Sequence, residues 1–280
     1  MFNANLQENV SAANDLKINE AINTAITQKG PVHINAPFEE PLYETVSALS
    51  VAANTVAFAN NTQTISIEEV SEYATIWNNA TKKMILVGVN EPNAISKKTI
   101  TAFAKEESVV VLTETTSNVH HETFINTIDT IITPFTKEDF EYFRPEILVT
   151  FGGMVVSKRI KTFLRKYKPK HHWHIDSWRA YDTFGALTKH FEVTPNVFLP
   201  LTNATESNYF QQLNAVKVLR KLKSDFYLSK IPFSDFKVFE KVIQRLPMNS
   251  QLQISNSSAI RYSQLIDIDP SIDVSCNRGT

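Results

Sequence analysis

Three places along the chain set a cation beside a backbone geometry that favours an anion. Gly152-Gly153 is followed by Lys158-Arg159 just inside a helical pattern, Asn256-Ser257 is followed one turn later by Arg261, and Asn277-Arg278-Gly279 follows an apolar run. A helix start presents free backbone N–H groups and a positive dipole end, while Arg grips a carboxylate at two points. Together these positions would suit a substrate bearing several carboxylates. Each place also has a plainer reading. Lys158 and Arg159 can be solvated charges on a surface helix, opposing its dipole only weakly. The sharper reading is that a cation pair at a helix start needs an anion beside it. Asn256-Ser257 can be a simple N-cap with Arg261 exposed, and the Asn277-Arg278-Gly279 signal is weak alone.

Other residues with chemical potential point elsewhere. His171, His172 and His174 resemble metal ligands, and two of them would share a strand face, but no carboxylate or cysteine spacing completes a site. His120-His121 is a weaker case. The basic run Arg165-Lys166-Tyr167-Lys168-Pro169-Lys170 follows a helical pattern and decorates its C-terminal end, where cations are favourable, so it does not read as a nucleic-acid patch. Cys276 is the only cysteine and has no evident base nearby, so a structural role is expected. No GxGxxG and no phosphate loop occurs, which argues against an ordinary dinucleotide or nucleoside-triphosphate site.

The elements that must position these groups follow a βα rhythm. A first helix is expected from Asn14 or Asp15, with Ile18, Ala21, Ile22, Ala25 and Ile26 on one face and Gly30 as a left-handed stop. The strand Pro31–Asn35 follows, and the polar segment Asn60–Thr64 reads as a linker. Ser66-Ile67-Glu68-Glu69 reads as a capping box before Val70, Tyr73, Ile76 and Trp77 at helical spacing. The runs 84–89, 109–112, 147–151 and 173–176 read as buried parallel strands, and Pro92 is placed where a helix continuing from Ile95 to Ala104 could begin. The block from about Ser66 to Leu199 is therefore expected to be a doubly wound α/β domain. Beyond Pro200 come two helices, about 206–223 and 234–246, then a strand at 252–254 and a further helix.

Composition narrows the class. The chain has 280 residues, 42% hydrophobic, which suggests about two domains of ordinary size. Its 28 basic and 29 acidic residues leave a formal net charge of −1, so bulk attraction to nucleic acid or an anionic membrane is not expected. A single cysteine excludes an intramolecular disulfide and fits a reducing, cytoplasmic compartment. No apolar run approaches a membrane span, and Met1–Asn5 lacks the layout of a signal peptide.

Read together, several segments resemble one family. Gly30-Pro31-Val32-His33-Ile34-Asn35-Ala36-Pro37-Phe38-Glu39-Glu40-Pro41-Leu42-Tyr43, then Phe151-Gly152-Gly153 with Ser157-Lys158-Arg159, then Asn256-Ser257 with Arg261 and Asn277-Arg278-Gly279 are similar in order and spacing to the MenD family. These are the 2-succinyl-5-enolpyruvyl-6-hydroxy-3-cyclohexene-1-carboxylate synthases of the menaquinone pathway, which are thiamine-diphosphate enzymes. The resemblance implies a Rossmann-like parallel sheet flanked by helices at 51–200, the tail of a pyrimidine-binding domain at 1–50 and the start of a diphosphate-binding domain at 201–280. It further implies decarboxylation of 2-oxoglutarate with thiamine diphosphate and Mg²⁺, and addition of the succinyl carbanion equivalent to isochorismate. Lys158, Arg159, Ser257, Arg261 and Arg278 would help hold substrate carboxylates. No catalytic, cofactor or metal residue is expected within these 280 residues, since the activating glutamate would lie upstream and no GDG motif occurs. The chain is thus expected to be an inactive central fragment of a homodimer or homotetramer. Two rivals stay open: another thiamine-diphosphate enzyme such as an acetolactate synthase, and a non-enzymatic Rossmann-like binding module.

Overall fold

The computed structural model describes residues 2–6, 11–28, 30–38, 43, 45, 47–49, 52–56, 64–198 and 205–277. Its contacts divide the chain into two compact units, 1–62 and 63–280. The linker reading at Asn60–Gln63 and the site reading at Arg278 lie outside the described residues.

In the first unit, strand β1 (Phe2–Asn5) pairs in parallel with β2 (Val32–Asn35), and helix α1 (Ser11–Gln28) connects them. The helix begins at Ser11, earlier than the expected caps, because Asp15, Asn19 and Asn23 are turned sideways instead. Asn19 accepts from the Val56 amide at 2.8 Å and donates to Asn54 O at 2.6 Å, while Asn23 donates to Val56 O at 2.5 Å. These amides occupy the backbone groups of 54–56 as a neighbouring strand would. The expected apolar face is only partly used within this unit: Ala21 is buried, yet Ile22 and Ile26 are exposed. Gly30 does not take the left-handed conformation expected of it.

The second unit is built on a five-stranded parallel sheet in the order β4-β3-β5-β6-β7. Its strands are β3 (Lys83–Val87), β4 (Val109–Thr113), β5 (Ile147–Phe151), β6 (His171–Ile175) and β7 (Leu187–Phe191). Every residue of β3, β4 and β5 is buried, the expected result for apolar strands covered on both faces. One face packs Trp77 of α2 (Ile67–Asn79) and Phe103 of α3 (Lys97–Phe103) onto Ile85, Val149 and Trp173. The other packs α4 (Ile128–Ile132), α5 (Lys137–Tyr142), α6 (Lys158–Lys166) and α7 (Tyr209–Lys230) onto Met84, Leu112 and Leu148. At roughly 1.5–3 kcal/mol per buried large apolar side chain, these two layers dominate the folding free energy. Helices on both faces of a parallel sheet make the fold the doubly wound α/β class expected from sequence.

Several local expectations are corrected. Helix α3 starts after Ser96, whose hydroxyl accepts from the Thr99 amide, because Asn93 takes φ 61° and makes 92–95 a turn. At α2 only half of the expected box forms: Ser66 Oγ accepts from the Glu69 amide at 3.2 Å, while the Glu69 carboxylate pairs with Lys189 on β7. Helix α7 runs on to Lys230. Strands β1 and β7 and helices α4 and α5 were not anticipated. Strand β7 is a sheet edge, and its Lys189 and His190 hide the apolar alternation. After α8 (Asp235–Ile243), strands β8 (Gln251–Ile254) and β9 (Asp273–Cys276) pair in parallel around α9 (Ser258–Ser263). Among the described residues no helix is long and apolar enough to cross a membrane.

Two buried polar clusters make stability sensitive to mutation and pH. At the amino ends of β3 and β4, Lys83 is 0% exposed, and its Nζ lies 3.1 Å from Glu106 and 3.0 Å from Ser108 Oγ. Trp77 Nε1 donates to the same carboxylate at 3.1 Å. Burial lowers the Lys83 pKa, and Glu106 opposes that shift. On β5 and β6, Thr150 Oγ1 sits 2.9 Å from His172 Nε2 and 2.8 Å from His174 Nδ1. His172 Nδ1 has no partner among the described residues, and burial, aided by His174, lowers its pKa to about 4.

Glu106→Ala strands the Lys83 ammonium in the core and should cost about 3–5 kcal/mol in urea denaturation, most of which the Lys83→Met/Glu106→Leu pair recovers. His172 stays neutral in the fold while the unfolded chain takes up its proton near the ordinary histidine value, so stability falls as pH drops from 6.5 to about 4. The loss attributable to His172 is at most about 3 kcal/mol, and denaturation midpoints of wild type and His172→Gln across that window should differ in slope accordingly.

Candidate functional site

The carboxyl ends of β3 and β5 flank the place where the strand order reverses, the usual ligand mouth of such sheets. Here that mouth is shut by backbone. The Gly88 amide donates to Phe151 O at 2.8 Å and the Gly153 amide to Val89 O at 2.7 Å, so pairing continues past both strands. A Cβ on Gly88 would lie 2.0 Å from Gly153 O, and Gly152 sits at φ +80°. These glycines serve close approach of two chains and leave no cradle for a diphosphate. Among the described residues, no group of three His, Cys, Asp or Glu side chains is arranged to hold a metal ion.

The chain leaving Gly153 is caught at once by a carboxylate. Glu114, just past β4 and only 4% exposed, accepts from the Val156 amide at 2.6 Å and the Ser157 amide at 2.7 Å. Ser157 caps α6 by accepting from the Ile160 amide at 3.1 Å, and its hydroxyl donates to Asp129. Glu114 therefore takes the backbone N–H groups at the start of α6, while the Lys158 and Arg159 side chains stay exposed. Burial pushes the Glu114 pKa up, and the two backbone N–H groups and Gln264 of the α9 end pull it down without overcoming that effect.

Four residues on, the side chain of Asn118 treats β9 as a neighbouring strand. Its Oδ1 accepts from the Val274 amide at 2.9 Å and its Nδ2 donates to Val274 O at 2.9 Å. Val156 packs with Ile254, Ile260, Ile272 and Val274 in one cluster, so β8, α9 and β9 close over the start of α6. The loops after β8 and β9 are tied to each other, because the Asn256 amide donates to Asn277 Oδ1 at 2.8 Å.

The sequence-predicted residues fall on this assembly as follows. Lys158 and Arg159 are exposed on the first turn of α6. Ser257 precedes α9 with φ 75°, a strained conformation for a non-glycine residue, and its exposed hydroxyl caps nothing. Arg261 is exposed on α9. The segments carrying these four adjoin one another through the Val156 cluster. His172 and His174 of β6 are engaged with Thr150 on the sheet, and Arg165 of the basic run donates to Thr183 O at 2.9 Å. Sequence reasoning missed Glu114 and Asn118. Their only signal was position: a carboxylate directly after an apolar strand and an asparagine in the loop that follows, at the carboxyl end of the sheet.

Comparison with known proteins gives a consistent result. Residues 54–254 match the family described as the middle domain of thiamine pyrophosphate. The 2-succinyl-5-enolpyruvyl-6-hydroxy-3-cyclohexene-1-carboxylate synthase of Flavobacterium johnsoniae is 62% identical over 100% of this chain and 51% of its own length. The enzyme of the same name from Christiangramia forsetii is 47% identical over 95% of this chain and 48% of its own. That from Porphyromonas gingivalis is 31% identical over 90% and 46%. The chain spans about half the length of these curated relatives.

Glu114 gives the site a measurable pH signature. Its folded pKa is raised, so the fold holds that proton better than the unfolded chain does, and the associated stability disappears as pH rises through the folded value. Glu114→Gln should flatten the decline in stability above the ordinary carboxylate range. Glu114→Ala removes the carboxylate that two buried N–H groups share and should cost on the order of 2–4 kcal/mol by urea denaturation in the ordinary carboxylate range, and less as pH rises.

Proposed function

The chain belongs to the 2-succinyl-5-enolpyruvyl-6-hydroxy-3-cyclohexene-1-carboxylate synthase family, and we propose that it is the central part of a synthase acting in menaquinone biosynthesis. The whole protein would release CO₂ from 2-oxoglutarate and join the remaining succinyl carbanion equivalent to isochorismate. What carries this reading is the 62% identity to the Flavobacterium johnsoniae synthase along the whole chain. Residues 1–50 would close a pyrimidine-binding domain, 51–200 form the middle domain and 201–280 open a diphosphate-binding domain. The protein would work in the cytoplasm as a homodimer or homotetramer.

Within this segment the chemistry is that of grip and charge. Decarboxylation removes one carboxylate of 2-oxoglutarate, so the distal carboxylate is the handle that persists from substrate to product. Lys158, Arg159, Ser257, Arg261 and Arg278 are suited to hold that handle and the carboxylates of isochorismate. Because Glu114 occupies the backbone N–H groups at the α6 start, Lys158 and Arg159 would act through their side chains. Thiamine diphosphate, with Mg²⁺, would supply the electron sink. The closed glycine mouth offers a diphosphate no cradle between the carboxyl ends of β3 and β5.

Two measurements test the proposal. Calorimetry of this chain with thiamine diphosphate and Mg²⁺ should show no saturable heat, and a clear isotherm overturns the assignment of the cofactor to other parts of the protein. In the whole protein, Lys158→Glu with Arg159→Glu should raise KM for the dicarboxylate substrates by about tenfold or more. Unchanged KM for both substrates removes these cations from the site.

A further inference from the structure

We infer that the turn 114–118 is a positioning hub, in which Glu114 and Asn118 together fix the start of α6 relative to the end of β9. This rests on the functional reading above, because those two elements carry or lead into the proposed substrate-gripping cations. The hub is anchored in the sheet. Ser117 is 0% exposed, donates to Val87 O at 2.8 Å at the end of β3, and accepts from the Glu114 amide at 2.9 Å. Asn118, with φ 50°, also donates to Asn90 O at 2.8 Å. From this fixed turn the two side chains reach in different directions. Glu114 takes the amides of Val156 and Ser157, directly before Lys158 and Arg159. Asn118 takes both the amide and the carbonyl of Val274, and the chain from there runs through Asn277 to Arg278.

The two tethers differ from ordinary packing contacts. The N–H and C=O of one strand residue point to the same edge, so a single carboxamide satisfies both at Val274 and fixes β9 along and across its direction. Only four positions separate the two tethers, and the intervening backbone is a buried 3₁₀ turn, Thr115–Ser117, closed by a capping box. Little play is left between them. A shift of about 1 Å in substrate-positioning groups can cost on the order of a hundredfold in rate. Glu114 and Asn118 need not touch the substrate for that sensitivity to reach them.

The test compares Asn118→Ala, Asn118→Asp and Glu114→Gln with wild type. Amide hydrogen exchange on this chain is expected to speed up about tenfold at Val274 in Asn118→Ala, with Ile85 and Val149 of the central sheet unchanged. Asn118→Asp keeps the oxygen acceptor and should restore protection of the Val274 amide. In the whole protein, Asn118→Ala should raise KM for at least one dicarboxylate about tenfold while kcat changes less than about threefold, and Glu114→Gln should do so less strongly. Unchanged exchange at Val274, or equal acceleration throughout the sheet, overturns the tether. Unchanged KM in an active enzyme overturns its positioning role. A wild-type protein inactive on both substrates overturns the functional reading and that role with it, while exchange at Val274 still decides the tether.

Discussion

A buried carboxylate at a helix start organises the carboxyl end of this sheet. Without Glu114, the segment that swings out after Gly153 would lose the carboxylate that two of its backbone amides share, leaving the Ser157 cap and Asp129 to hold the start of α6. With it, Val156 is seated where β8, α9 and β9 pack, and this grip joins Asn118's hold on Val274 in tying the C-terminal elements to the sheet. The energetic terms pull against each other. Helix geometry favours the anion, and burial disfavours it more strongly.

The two ends of the strands solve the problem of buried charge differently. At the amino end, Lys83 and Glu106 neutralise each other directly, with Ser108 and Trp77 completing their hydrogen bonds. At the carboxyl end, Glu114 is met by backbone dipoles, and the cations Lys158 and Arg159 remain in solvent. One end is therefore electrically closed, whereas the other keeps its positive groups outward and available.

Much of this was legible in the sequence. Uninterrupted apolar runs marked β3, β4 and β5, the run at 173–176 overlapped β6, and the cap Ser66 sits where residue type placed it. What escaped has physical causes. Strand β7 mixes Lys189 and His190 with apolar residues because it lies at an edge. Helices α4 and α5 have five and six residues, too short for a period to emerge. Helix α1 carries an apolar stripe, yet asparagines on a neighbouring face bind the backbone of 54–56. For the site, the cations were visible because charge beside glycine is conspicuous. Glu114 and Asn118 were not, since a carboxylate or amide that binds backbone has no partner side chain to betray it.

The seam between Gly88 and Gly153 has a consequence for the history and engineering of this fold. Sheets of this topology commonly evolve new ligands by exchanging loops around an open cleft. Here a carbonyl lies where any side chain at position 88 would have to project, so the doorway is sealed by backbone rather than merely vacant. Loop grafting alone will not reopen it. Selection on such a scaffold is channelled outward, and novelty must arise on the rim, where the connecting segments have become girders instead of gates.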